Sequence, residues 1–316
     1  VRLRRHPAAL WAALFALAAL VGSAAHVGLH RLQEIVMESA IGWIAGGGTR
    51  TDASRTTTDI GQIGELKLSN RIVFRVAAPA GTPLPILLHR ASYDGYAWPS
   101  WVARSAELSI AAPGPAPGSW ILRPAGDALP ALDISHPVHR GKSVLALPNG
   151  TVRIERLAAD ELRRNRFGTV EAAVRGDTVR YRAVFDPGAG RVEGHEPPDL
   201  RVPASEAPAV QRVAAALKLA GRPPGDAIAA VRRHFELHFQ YATWQSGTGN
   251  RASTPLAGFL LDTRAGHCEY FATATVLLLR AAGIPARYAT GFSVQEWSPL
   301  EQADRKSTRL NSSHGY

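Results

Sequence analysis

The segment 264–283 constrains this chain most. Arg264-Ala265-Gly266 reads as a coil ending on a glycine, and an apolar-periodic stretch follows from Cys268 to Ala282, closed by Gly283. Phe271, Thr275, Leu278 and Ala282 recur at helical spacing, with Leu277 and Leu279 widening the stripe, so the stretch predicts a helix with a buried face. Pro285 prevents its continuation. Cys268, the only cysteine in the chain, therefore stands at or near a helix N-terminus. Unpaired backbone N–H groups and the positive dipole end favour an anion there, and a thiolate is such an anion. The same N–H groups suit the oxyanion that forms when a thiolate attacks an acyl carbon. The competing reading of Cys268 is a small buried hydrophobe, the ordinary fate of a lone cysteine. His267 is read as structural or substrate-lining, because sequence neighbours at a helix start point in different directions. Glu269 is read as a first-turn carboxylate favoured by the dipole. One cysteine beside one histidine is no metal-ligand set, so no metal and no cofactor is expected.

The run Gly266-His267-Cys268-Glu269-Tyr270-Phe271-Ala272, then Leu278-Leu279-Arg280-Ala281-Ala282-Gly283-Ile284-Pro285-Ala286-Arg287, then Gly291-Phe292, resembles the core of bacterial transglutaminase-like proteins over about residues 259–294. The resemblance implies a papain-like Cys-His-Asp site, with the cysteine opening a helix that packs on an antiparallel sheet. It assigns the nucleophile to Cys268. In the family a histidine follows one strand later and an aspartate about a strand beyond. Here the chain changes character after Ala303, and residues 304–316 resemble a translated sequencing adapter. His314 is accordingly not assigned as the base. The expectation is a core over 205–303 that lacks its histidine, its aspartate and its last strands, and is therefore inactive, with an unpaired edge and low stability.

The 316 residues allow two modest domains plus appendages. The N-terminus reads as a cytoplasmic stub and transmembrane helix (1–29): Arg2, Arg4 and Arg5 precede a charge-free apolar run of 19 residues, Pro7 to Ala25. That length approaches what a bilayer-spanning helix needs, and the arginines place everything after it outside the cytoplasm. A cleaved signal peptide with Ser23-Ala24-Ala25 as its processing site is the alternative. An amphipathic segment and a Gly/Thr/Ser-rich linker follow (30–65). Residues 66–202 read as a β-rich exported domain of short strands broken by Pro and Gly. Within it, Ser143–Ile154 around Asn149-Gly150 predicts a hairpin, and Arg175-Gly176-Asp177 predicts a hairpin turn into the alternating strand Thr178–Phe185. Tyr93-Asp94-Gly95-Tyr96-Ala97-Trp98 reads as aromatic packing. The Pro/Gly-rich stretch 188–208 reads as a boundary, and two helices follow, the second capped by Asp226. Trp244 to Thr254 is a polar loop in which Trp244 is a candidate pocket lining. Arg287 is expected in a buried charge pair.

The net charge is +10, carried by scattered arginines without a Lys/Arg block or an aromatic-interleaved stripe, which argues against nucleic-acid binding. With the resemblance, the expectation is an α+β chain: a membrane-anchored, exported cysteine acyl-transfer enzyme acting on a protein or peptide substrate, one of the cell envelope among the candidates, by crosslinking, deamidation or peptide hydrolysis, among which the sequence does not choose. The alternative is a non-catalytic envelope-binding module on the same fold.

Overall fold

The structure, a computed structural model, describes residues 17–18, 57–59, 74–79, 81–104, 107–126, 128–138, 141–189, 194–242, 254–297, 305–307 and 309–310. The expected membrane span lies outside that set, apart from the helical Leu17 and Ala18, and so does Trp244. Among the described residues no helix is long and apolar enough to cross a membrane.

Pro and Gly recur too often in the first two-thirds for long elements, and the strands are short. They begin with β1 (Thr57–Asp59), β2 (Phe74–Ala77) and β3 (Ile86–Tyr93). β4 (Gly95–Ala97) and β5 (Ser100–Val102) form an antiparallel hairpin, to which β1 adds. The two-residue strands β6 (Ser109–Ile110), β7 (Ala112–Pro113) and β8 (Trp120–Ile121) precede β9 (Ala131–Pro137) and β10 (Lys142–Val144). Then come β11 (Leu147–Pro148), β12 (Thr151–Glu155), β13 (Ala159–Arg164), β14 (Val170–Val174) and β15 (Thr178–Phe185).

Two turns are where the sequence places them, but neither closes a hairpin. The Asn149-Gly150 turn leaves β11 on β3 and sends β12 to β15 and β8, in another sheet. Gly150 has φ +81°, and a Cβ there would meet the Asp186 carbonyl oxygen at 2.1 Å, so glycine is required by both conformation and space. The turn at 175–177 likewise separates β14, paired with β10 and β13, from β15, paired with β9 and β12. Turn chemistry dictates a reversal; the buried faces on either side decide the partner. β15 does alternate as its pattern predicts, with Val179, Tyr181 and Ala183 buried.

The helical part begins after a 3-10 turn at Pro197–Leu200. α1 (Ala207–Ala216) and α2 (Pro224–His238) follow. Asp226 is not the cap of α2; it lies in the first turn, and Pro223 holds the cap position. Proline at the first helical position has φ preset and no N–H to leave unpaired, so the helix starts earlier than the aspartate suggests. β16 (Gln240–Tyr241), α3 (Pro255–Gly258), β17 (Ala265–Gly266) and α4 (Cys268–Ala281) lead to β18 (Tyr288–Val294). α4 ends in a Schellman arrangement: Ile284 N–H donates to the Leu279 carbonyl and Gly283 N–H to Arg280, with Gly283 at φ +78°. Far from showing a single apolar stripe, α4 buries nine residues around most of its circumference, including Glu269, Thr273 and Arg280. It is a central helix rather than a surface one.

β18 pairs antiparallel with β3 along its whole length. A bulge between the Thr290–Ala91 and Gly291–His89 pairs leaves Arg90 as the extra residue. The bulge keeps Ile86, Leu88, Ala91 and Tyr93 on one face with Val294, Phe292, Thr290 and Tyr288, although the alternation in β3 changes parity. One end of that face joins the core of the β region; the other joins the core built with α1, α2 and α4. The sheet therefore crosses the expected boundary between 66–202 and 205–303, and 53–316 forms one compact unit. β19 (Glu296–Trp297), β20 (Arg305–Ser307) and β21 (Arg309–Leu310) complete the strands. β20 lies between β19 and β2, and β21 is the edge strand beside β18, so residues of the expected non-native tail pair into both sheets.

The stretch read as a boundary supplies core contacts. Asp199 is 2% exposed, and its carboxylate accepts two hydrogen bonds from Arg287, at 2.8 and 2.7 Å. Its backbone carbonyl accepts the Ala286 N–H. The pair expected at Arg287 is thus formed across 88 residues of sequence.

β9 carries His136 into the β core, packed on the Phe74 ring at 4.4 Å. Its Nδ1–H donates to the Pro137 carbonyl, and Nε2 has no hydrogen-bond partner. Burial drives its pKa down to about 4, against the Pro137 carbonyl, which raises it, while Arg90 adds to the lowering. The unfolded chain, with an ordinary histidine near 6.5, then binds the proton first. Stability is complete above pH 6.5 and falls as pH drops towards 4, by about 3 kcal/mol in full. Urea midpoints measured across pH 7 to 4 should show this loss, and His136→Phe should remove that share of it; equal pH slopes for both proteins would refute the assignment.

Candidate active site

The approach to Cys268 is built by a short helix that overruns into a wider turn. Thr254 caps α3, its hydroxyl accepting the Ala257 N–H. The chain then continues as a π-helical turn, Phe259–Thr263, and ends on Arg264 in the left-handed region at φ 49°. Such wide turns are frequent near functional sites. β17 is held by a parallel pairing with β16: Gln240 N–H donates to the Arg264 carbonyl and Ala242 N–H to Gly266. A Cβ on Gly266 would lie 3.0 Å from the Phe259 ring and 3.3 Å from Tyr270 Cβ, so the close passage of backbone over ring selects glycine.

His267 is extended (φ −92°, ψ 174°) and is the N-cap residue of α4, so Cys268 is the first helical residue, as the sequence predicts. Its carbonyl accepts the Tyr270 N–H at 3.0 Å and the Phe271 N–H at 3.4 Å. Those two donors are committed to the helix, and the expected oxyanion role falls to amides before them. Cys268 is half-buried and packs against the β-region core.

The far side of α4 is clamped by aromatic residues from the Tyr93–Trp98 region and β18. Trp101 is fully buried, stacks on Tyr288 at 5.0 Å, and donates its indole N–H to Thr273. Tyr93 and Tyr96 are buried beside them, so the aromatic segment is packing, as its sequence suggests. Burial pushes the Tyr288 phenol well above its ordinary pKa, and the nearby Glu269 and Cys268 push it further; the three side chains share one environment.

Glu269 is the first-turn carboxylate that its position suggests, and it is wholly buried. His267 Nδ1 lies 3.1 Å from its Oε2, within ion-pair distance but off the line of a directed hydrogen bond. Burial would lower the His267 pKa, but the Cys268 sulfur and the Glu269 carboxylate outweigh it and raise the value to about 9. Both neighbours thus favour the protonated imidazole. Sequence reasoning separated these three residues because successive helix-start side chains diverge. The extended N-cap brings the imidazole back towards them.

Among the described residues, no three His, Cys, Asp or Glu side chains gather as a metal-binding set. His314 and residues 298–304 lie outside the described residues.

The transglutaminase-like superfamily model matches residues 211–314. A protein-glutamine gamma-glutamyltransferase of Pseudomonas aeruginosa is 34% identical over 102 residues, 32% of this chain and 15% of that protein. The uncharacterized protein YebA of Bacillus subtilis is 49% identical over 39 residues, 12% of this chain and 5% of that protein. This chain thus spans only a small part of those relatives. The crystal structure of the periplasmic domain of TgpA from Pseudomonas aeruginosa superposes with a TM-score of 0.63 at 22% identity, covering 83% of this chain and 88% of that one. The same domain bound to ethylmercury gives 0.61 at 22% identity, over 81% and 88%. At that identity the likeness is one of fold, and it extends well beyond the segment that the family model matches. Residues 211–314, whose central helix Cys268 opens, thus match the transglutaminase-like superfamily.

Proposed function

We propose that this chain is the exported portion of a membrane-anchored cysteine acyl-transfer enzyme, with Cys268 as nucleophile and a protein or peptide of the cell envelope as substrate. The observation that carries this reading is the position of Cys268, half-buried at the first turn of α4 inside the family-matched region. The basic residues and apolar run of 1–25 support an anchor, and the periplasmic setting of the solved fold relatives supports export.

The reaction is acyl transfer through a thioester. The Cys268 thiolate attacks the carbonyl carbon of a glutamine carboxamide, a C–S bond forms, and the carbonyl oxygen takes the negative charge. Collapse breaks the C–N bond, and the nitrogen leaves as ammonia with a proton from a general acid. A primary amine then attacks the thioester and releases the thiol, giving a secondary amide; water in its place gives the carboxylic acid. Crosslinking and deamidation differ only in this second nucleophile.

The test is incorporation of a labelled primary amine into a glutamine-containing protein by the full protein encoded at the locus, with ammonia release measured in parallel. Label and ammonia should both depend on Cys268. Equal rates with and without the thiol would sink the proposal.

A further inference from the structure

The geometry points to His267 as a positioning residue for Cys268: its imidazole, seated against the buried Glu269 carboxylate and next in sequence to the cysteine, favours the thiolate. This rests on Cys268 being the nucleophile, and it adds a residue outside the Cys-His-Asp set that the family resemblance implies.

Three observations carry it. First, the His267 side chain is 14% exposed and the Glu269 side chain 1%, so their ion pair lies where water screens it little. Second, the imidazole interacts with both the sulfur and the carboxylate, and each favours its protonated form. Third, phenols among the described residues surround the pair. Tyr270 on α4 lies against the imidazole at 4.9 Å, and burial raises its pKa to about 12. Tyr288 on β18 faces Glu269 and Cys268, and Tyr93 and Tyr96 face Tyr288; burial raises all three. These phenols are neutral at pH 7, so the charges acting on the sulfur from these groups reduce to Glu269 and His267.

That reduction gives the pair a specific consequence. Glu269 alone would be a like charge beside a thiolate and would oppose its formation. His267 cancels that effect and adds the attraction of a cation in contact with sulfur. Removing the imidazole therefore acts twice, by losing the cation and by uncovering the carboxylate.

The experiment is the pH dependence of alkylation by iodoacetamide, which reports on Cys268 because the chain contains no other cysteine. An ordinary thiol shows its inflection near 8.5. The wild-type inflection is expected clearly below that value. His267→Asn removes the charge but keeps a good helix N-cap, so folding should survive. It should raise the inflection by at least one pH unit and slow alkylation about tenfold at pH values below both inflections. His267→Lys should restore the low inflection. Glu269→Gln should split the profile, with a second step near neutrality as His267 loses its counter-ion.

If the wild type is low and His267→Asn lies within 0.3 pH units of it, with unchanged near-ultraviolet circular dichroism, the inference fails while the nucleophile reading stands. If the wild-type inflection is itself at about 8.5, the inference fails with the activation it invokes. Amine incorporation is scored separately, so loss of the function reading through a Cys268-independent activity is visible by itself.

Discussion

Asp199→Ala is expected to destabilise the protein by about 3–5 kcal/mol, nearer the lower figure because Arg287 keeps some exposure. The carboxylate is buried and bidentate to Arg287, and it also accepts the Glu196 N–H at 3.0 Å. Removing it strands a guanidinium whose side chain is only 18% exposed and which stacks over Phe167 at 4.2 Å. A second cation suffers as well. Arg280 is 3% exposed, and burial lowers its pKa to about 10, while Asp199 and Asp94 counter that effect. Of the two carboxylates that counter its burial, Arg280 would then keep only Asp94. Asp199→Asn, which keeps the shape and one acceptor, should cost less. Urea unfolding monitored by circular dichroism checks both; a loss under about 1 kcal/mol for Asp199→Ala would show that the pair is not the anchor that its geometry describes.

Cys268→Ala is expected to abolish amine incorporation by the full enzyme, by a factor on the order of 10⁴ to 10⁶, the scale on which loss of a nucleophile or its activating base acts. The fold should survive the change, since the sulfur is half-buried and truncating it removes one heavy atom. A cavity of that size costs about 1 kcal/mol. Activity and stability thus separate: thermal unfolding should shift by only a few degrees while turnover vanishes. A variant that retained a tenth of wild-type turnover would exclude covalent catalysis at this residue.

Much of the local structure was legible from residue types. Gly266 before Cys268, Gly283 after Ala282 and Pro285 beyond it set both ends of α4, because left-handed and N–H-free positions admit few residues. Alternation in Thr178–Phe185 predicted its buried face. The family resemblance carried the assignment of Cys268, which lies within the segment that the family model matches. Partners were not legible. The turns at 149–150 and 175–177 were read as hairpins because adjacency in sequence is the only pairing information a single chain offers. The strands instead joined different sheets, where their apolar faces met larger cores.

Cys268 at a helix start, its neighbours by name, and the acyl-transfer chemistry that they suggest were determined by the sequence alone. Three things were decided only in the tertiary structure. β3 and β18, almost 200 residues apart, pair across the expected domain boundary, because a bulge at Arg90 lets both present one continuous apolar face. Asp199, in a stretch with the composition of a linker, becomes a buried anchor because Arg287 arrives from the strand that follows the cysteine helix. Glu269, legible as a first-turn carboxylate, becomes a buried counter-ion because α4 is enclosed on nearly every side. In each case the residue was visible in the sequence, but its dielectric surroundings were not, and burial is what turns an ordinary charge into one that must be matched.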